Sequence, residues 1–364
     1  MKRPGLKLLL LILIITAAGS CATPKIQQKS DDVATAYASP QTAYFEASRK
    51  GDIAIVMRLV EEKLVDVNAT DAYSWTGFMY AIQYGHAGLA DYFLIKNVNI
   101  NFQDRDGRTP LMVAVNERHP KIVEMLLQSG ADPARQDKHG YSALMWAIYN
   151  KSWDSIPFLL ASGKSIDLQN GFGETALHLA FDYRFYDIAA TLIKHNANVN
   201  IRDKKLRTPL HLAAQKGDQT NVELLLAKGA SVKVQDDAGE TPLMKSILSR
   251  YYSTAAYLLA SPQDINAANK KGQTALHLAV YANLPDIVSA LIRKNAVIDC
   301  RDREKITPLM MAASSGLDDI LLILLAKGAD RNLKNASGET ALDMARKNNR
   351  HNAITYLEKR NRTP

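Results

Sequence analysis

The 364-residue sequence predicts an all-α repeat solenoid. Three observations predict it. A four-residue pattern returns at a constant interval along most of the chain. Each copy carries two short apolar runs at helical spacing. Each copy also has a fixed place for a residue that tolerates a left-handed backbone.

The pattern is clearest at Thr109-Pro110-Leu111-Met112, Thr208-Pro209-Leu210-His211, Thr241-Pro242-Leu243-Met244 and Thr307-Pro308-Leu309-Met310. Alanine replaces proline at Thr175-Ala176-Leu177-His178, Thr274-Ala275-Leu276-His277 and Thr340-Ala341-Leu342-Asp343. Thr76-Gly77-Phe78-Met79 and Ser142-Ala143-Leu144-Met145 are looser copies. From Thr76 to Thr340 the interval is 33 residues throughout, and Thr42 marks a degenerate first copy 34 residues before Thr76. This makes about ten units, the last one shortened.

Each position in a unit has a physical reason. The threonine hydroxyl caps a helix N-terminus. Proline suits the first helical turn, which needs no N–H. Leu210, Leu212 and Ala213 line one face of a first helix. Val222, Leu224, Leu225 and Leu226 supply the apolar side of a second. Gly130, Gly163, Gly229 and Gly328, with Asn97, Asn196 and Asn295 in the same register, stop that second helix. Five residues before each Thr or Ser stands Asp or Asn, from Asp71 to Asn335, and in six of the copies glycine follows three later. That is turn chemistry for a projecting loop. One unit cannot bury its own apolar side, so stability has to come from stacking. At the end of the stack Ala345, Ile354 and Leu357 can face inward while Arg and Asn cover the outside.

A 33-residue period carrying Thr-Pro-Leu-His resembles the ankyrin repeat, over about residues 42–360. The resemblance implies stacked helix–turn–helix units with projecting hairpin loops. It also implies a concave face, formed by loop tips and first helices, that binds other proteins.

The N-terminus has a different plan. "MKRPGLK" is basic, Leu8 to Ile15 is aliphatic and Thr16 to Ser20 is small or weakly polar. This is the three-part layout of an export signal, and it is too short to span a bilayer. Gly19-Ser20-Cys21 resembles the lipobox of bacterial lipoproteins, with Ala18 where that family most often has leucine. The resemblance implies cleavage before Cys21 and acylation of that cysteine, palmitate included. Ala22 in place of aspartate points to the outer membrane. The expected organisation is a signal peptide over 1–20, a lipidated Cys21 with a flexible tether over 21–40, and a repeat domain over 41–364. An exported effector that acts on host proteins is the alternative reading.

Composition narrows the chemistry. Net charge is +8, and Lys2, Arg3 and Lys7 in the leader supply part of it, which is too little to argue for nucleic acid. Cys21 and Cys300 are the only cysteines, so no disulfide framework is expected. "GFGETA" (171–176) mimics a dinucleotide fingerprint but falls in the repeat's turn register. Asp104-Arg105-Asp106-Gly107 hints at a calcium loop, yet Phe102 and Val113 would stand at ligand positions. His178, His211 and His277 occupy the last place of the tetrapeptide, where ankyrin repeats use the imidazole structurally. Cys300 takes an apolar position and is expected to be a buried thiol. No catalytic constellation, metal, cofactor or small-molecule substrate is expected, and the chain is not read as an enzyme.

The partner-binding positions read from the sequence are aromatic in the N-terminal half. They are Tyr73, Trp75, Tyr84, His139, Tyr141, Trp146, Tyr149, Phe172 and Tyr183, a strip across units two to five. Unit seven departs from the pattern. Lys245-Ser246 replaces the usual Leu-Ala pair, and Pro262 stands in place of the helix-stop glycine.

Overall fold

The computed structural model describes residues 38–261 and 264–359. The leader, Cys21, most of the tether and Pro262 therefore lie outside the described residues. The chain divides into an N-terminal body up to Arg105 and a C-terminal body from Asp106 onward.

Among the described residues the N-terminal body holds two helix pairs, α1 (Pro40–Lys50) with α2 (Ile53–Glu61) and α3 (Gly77–Gln83) with α4 (Ala87–Ile95). The C-terminal body holds eight more pairs: α5 (Pro110–Asn116) and α6 (Pro120–Gln128), α7 (Ala143–Tyr149) and α8 (Ile156–Ala161), α9 (Ala176–Asp182) and α10 (Tyr186–Lys194), α11 (Pro209–Lys216) and α12 (Gln219–Ala227), α13 (Pro242–Leu248) and α14 (Tyr252–Ala260), α15 (Ala275–Tyr281) and α16 (Pro285–Arg293), α17 (Pro308–Ser315) and α18 (Asp318–Ala326), α19 (Ala341–Lys347) and α20 (His351–Glu358). In each body first helices pack on first helices and second on second.

The capping logic holds. Thr76, Thr109, Ser142, Thr175, Thr241, Thr307 and Thr340 each accept the N–H three residues on. Asn97, Asn196 and Asn295 adopt φ of 55–62° at the ends of second helices, beside the predicted glycines. Leu210, Leu212, Ala213, Val222 and Leu225 are fully buried. Burying each such leucine or valine stabilises the fold by roughly 1.5–3 kcal/mol. Leu224 and Leu226 are only half-buried, because they flank the buried line rather than lying on it.

Two local expectations need correction. The first helix starts at Pro40, capped by Ser39, whose Oγ accepts the Thr42 N–H at 3.1 Å. Thr42 thus lies inside α1, and the degenerate first repeat begins earlier than its register suggested. Tyr44, fully buried, fills the place facing the next tetrapeptide, and a Cβ at Gly77 would stand 2.5 Å from its ring. That contact explains why "TGFM" has glycine where other repeats have proline or alanine. At the other end Ala353 and Leu357 face inward and Ile354 is only half-buried.

Repeat four also departs from the others. Pro157 has no N–H to offer the Trp153 carbonyl, so Ile156 N–H takes it and a 3-10 turn forms over Trp153–Ser155. The second helix is left with six residues.

Loop tips of the C-terminal body are joined backbone to backbone. Lys138 N–H donates to Asp106 O, Gly171 to His139, Lys204 to Phe172, Asp237 to Lys205, Lys270 to Ala238, Arg303 to Lys271 and Ala336 to Glu304. These seven rungs measure 2.7–3.0 Å. Gly173, at φ 76°, lets one tip come this close, since a Cβ there would lie 2.9 Å from Lys204 N.

Candidate partner-binding surface

The face made by the loops and first helices is built on one carboxylate or amide per loop. In repeat four, Asp137 Oδ1 accepts the N–H groups of His139 and Tyr141 at 2.9 and 2.8 Å. The same two bonds recur at Asp71, Asn170, Asp203, Asp236, Asn269, Asp302 and Asn335.

The second oxygen of each aspartate needs its own donor, because an unpaired buried charge is costly. Three repeats supply it nine residues on, from the first helix. Tyr80 Oη–H donates to Asp71 at 2.6 Å, Trp146 Nε1–H to Asp137 at 2.9 Å, and Lys245 Nζ to Asp236 at 2.6 Å. Where that helix position is Leu179, Leu278 or Met344, the loop residue is neutral Asn170, Asn269 or Asn335. Asp203, opposite Leu212, is served by Arg207 at 2.6 Å, and Asp104 by Trp75 Nε1–H at 3.1 Å. Asp302, opposite Met311, is half-exposed and open to water.

This pairing re-sorts the sequence-predicted residues. Trp75 and Trp146 are half-buried carboxylate partners, and Tyr80 is buried at 7% exposure. Tyr141 is half-buried against Trp146, with ring centroids 6.0 Å apart. His139 is exposed at its tip. Tyr73 and Tyr84 of the N-terminal body are 70% and 53% exposed, and Tyr84 stacks on His86. Phe172, Tyr149 and Tyr183 of the C-terminal body are 62%, 52% and 41% exposed. Within that body the rings form one ribbon. Trp146 meets Tyr149 at 5.9 Å, Tyr149 meets Tyr183 at 5.9 Å, Tyr183 meets Phe185 at 5.9 Å and Phe185 meets Trp153 at 4.8 Å. Sequence reading missed Trp153 and Phe185. Their signal was an aromatic residue in the turn between two helices of adjacent repeats.

Beside the ribbon lies a charged cluster. Arg207 reaches Asp203 at 2.6 Å, Asp182 at 3.4 Å and Glu174 at 3.7 Å, and Lys216 approaches Asp182 at 4.0 Å. In repeat seven, Lys245 bridges Asp236 and Glu240, both at 2.6 Å. Burial works against the Lys245 charge, but these two carboxylates outweigh it and hold its pKa above the ordinary value. Burial likewise works against ionised Asp236, and the Lys245 and loop hydrogen bonds hold it below the usual range. Ser246 is fully buried and donates to Leu243 O at 2.7 Å. The atypical pair is thus a fitted substitute.

The three tetrapeptide histidines do structural work. Nδ1 of His178, His211 and His277 accepts the N–H of Thr175, Thr208 and Thr274. Nε2–H donates to Arg207 O, Glu240 O and Ile306 O in the next repeat, at 3.0–3.1 Å. Burial pushes all three imidazoles down, His211 to about 4. Cys300 is half-buried rather than buried, in contact with Thr274 Oγ1 at 3.2 Å, and burial pushes its thiol up to about 11. It is a neutral packing group at neutral pH. Among the described residues no group of three or more His, Cys, Asp or Glu could hold a metal ion. Among them, too, no helix is long and apolar enough to cross a membrane.

Comparison with known families agrees with this architecture. A model of ankyrin repeats in three copies matches residues 20–104, 44–137, 78–170, 144–236 and 210–302. A second, for ankyrin repeats in many copies, matches 291–345. The chain belongs to the ankyrin-repeat family. Members are typically non-enzymatic scaffolds for protein partners. No curated protein matches the chain as a relative.

Proposed function

We propose that this chain is a bacterial lipoprotein, acylated on Cys21, which presents its repeats as a protein-binding scaffold at the cell envelope, on the outer membrane. The N-terminal reading rests on the basic, aliphatic and small-residue order before Cys21. Several acyl chains on one residue give stable attachment where one chain is marginal. The scaffold reading rests above all on the Tyr149–Tyr183 ribbon, whose rings touch across two repeats yet leave about half of their surface exposed. Large rigid aromatics of this kind supply the anchors of protein interfaces. The mechanism is equilibrium binding along the loop-and-first-helix face, with the lipid raising local concentration.

A photo-crosslinking residue placed at Tyr183, compared with one at Lys164, tests the scaffold. A discrete envelope partner trapped only from position 183 is the expected result. Tyr149→Ala with Tyr183→Ala is expected to abolish that capture while shifting unfolding free energy by less than about 1 kcal/mol. Trapping that is equal from both positions would remove the reading. The mass of the N-terminal peptide tests the anchor. Diacyl or triacyl Cys21 as residue one supports it. An unmodified terminus at Cys21 or beyond means a freely diffusing exported protein, and the host-effector reading takes over.

A further inference from the structure

The geometry points to an arginine-bearing, extended peptide segment as the partner of the Tyr149–Tyr183 patch, with the guanidinium seated on these rings against Glu174 and Asp182. This rests on the protein-binding reading above and gives it a chemistry.

Three observations carry it. First, the rings and carboxylates lie together. Asp182 ends helix α9, Tyr183 follows it, and Tyr149 meets Tyr183 at 5.9 Å. Glu174 and Asp182 share one guanidinium, that of Arg207, at 3.7 and 3.4 Å. Burial, then Tyr149, Glu174 and Asp182, push the Tyr183 hydroxyl up, as this crowding requires.

Second, the carboxylates are not neutralised. Arg207 is committed to fully buried Asp203 at 2.6 Å, and the nearest partner of Glu174 is the neutral Asn170 amide at 3.0 Å. Lys216 stands 4.0 Å from Asp182. Glu174, Asp182 and Asp203 thus face two cations, Arg207 and Lys216, which leaves this carboxylate cluster one negative charge, while at the far end of the ribbon Lys151 Nζ already stands 5.8 Å over the Phe185 ring.

Third, the alternatives fit worse. An apolar partner would desolvate these carboxylates without repayment. An anionic partner would be repelled. A guanidinium gains from both features, since it stacks on aromatic faces and pairs with carboxylates in a planar fork. The peptide flanking it has further exposed aromatic surface to meet. Phe172 is two residues before Glu174 in the same loop, and Phe185 with Trp153 continues the ribbon from Tyr183.

The test uses the full chain with ring-labelled tyrosine. The probes are three capped nonapeptides with arginine, citrulline or glutamate between two Leu-Pro pairs, followed by NMR titration. The arginine peptide is expected to shift the Tyr149 and Tyr183 resonances and to bind about five- to tenfold tighter than the citrulline peptide. Glu174→Gln should erase that difference with the melting temperature unchanged. Asp182→Asn is the second variant should Glu174→Gln unfold. Equal binding of arginine and citrulline peptides, preference for the glutamate peptide, or no shift from any peptide would overturn the inference. If both neutral and cationic peptides bind and Tyr183→Ala abolishes both, the scaffold reading stands and only the charge preference fails.

Discussion

Repeats four and seven solve the same structural problem differently from repeats five and eight. In four and seven the loop carries Asp137 or Asp236, the first helix answers with Trp146 or Lys245, and the tetrapeptide ends in Met145 or Met244. In five and eight the loop carries Asn170 or Asn269, the helix has Leu179 or Leu278, and the tetrapeptide ends in His178 or His277. The loop and first helix have the same backbone hydrogen bonds in both. What differs is whether the buried polar groups are charged and paired or neutral and self-sufficient. The two sets of repeats should therefore fail under different conditions.

Acid should separate them most. The tetrapeptide histidines are held below their ordinary pKa, so the unfolded chain takes up protons first. Their stabilisation is complete above about pH 6.5 and is lost as pH falls. For His211, lowered to about 4, the loss is on the order of 3 kcal/mol by pH 4. Hydrogen exchange at pH 7 and pH 5, corrected for intrinsic rates, should show repeats five, six and eight opening before four and seven. Uniform opening would break the comparison. Asp236, held low, contributes stability above the ordinary carboxylate range and loses it only at still lower pH.

Removing a donor comes next. Lys245→Ala leaves Asp236 buried and unpaired, at a cost of about 3 kcal/mol. Lys245→Leu with Asp236→Asn writes the repeat-eight solution into repeat seven and should restore most of it, as read by urea unfolding. Trp146→Phe removes one hydrogen bond to a carboxylate and is expected to cost about 1.5–3 kcal/mol. Asp137→Asn in that background should recover part of the loss, read by the same unfolding curve.

The smallest effect concerns a loop tip. Leu206 holds φ 58°, where most other tips have glycine. Leu206→Gly should raise stability by about 1 kcal/mol, checked by the unfolding midpoint.

Much of this was legible. Period, caps, stops and turn residues each follow from a local rule, and among the described residues ten helix pairs follow them, the first starting earlier than its register. The donor pairing was present in the sequence too, at Asp71 and Tyr80, Asp137 and Trp146, Asp236 and Lys245. It stayed hidden because nothing local says that an aspartate's second oxygen points at a helix residue nine places on. For the same reason Trp75 and Trp146 read as contact residues although their indoles are occupied. Trp153 was missed because the 3-10 turn imposed by Pro157 decides where its ring goes. Exposed Tyr149, Phe172 and Tyr183 were legible because no structural rule claimed them.

The backbone rungs between loop tips have a consequence for how such a chain can change. Because every rung joins an amide to a carbonyl, it is indifferent to the side chains at either end, and Lys138, Gly171, Asp237 and Ala336 already occupy equivalent sites. A block of 33 residues can therefore be copied in or cut out, and its rung positions can mutate where a glycine such as Gly173 keeps the approach open, while the seam closes as before. Recognition can drift by cassette exchange without the stack having to relearn how to hold together.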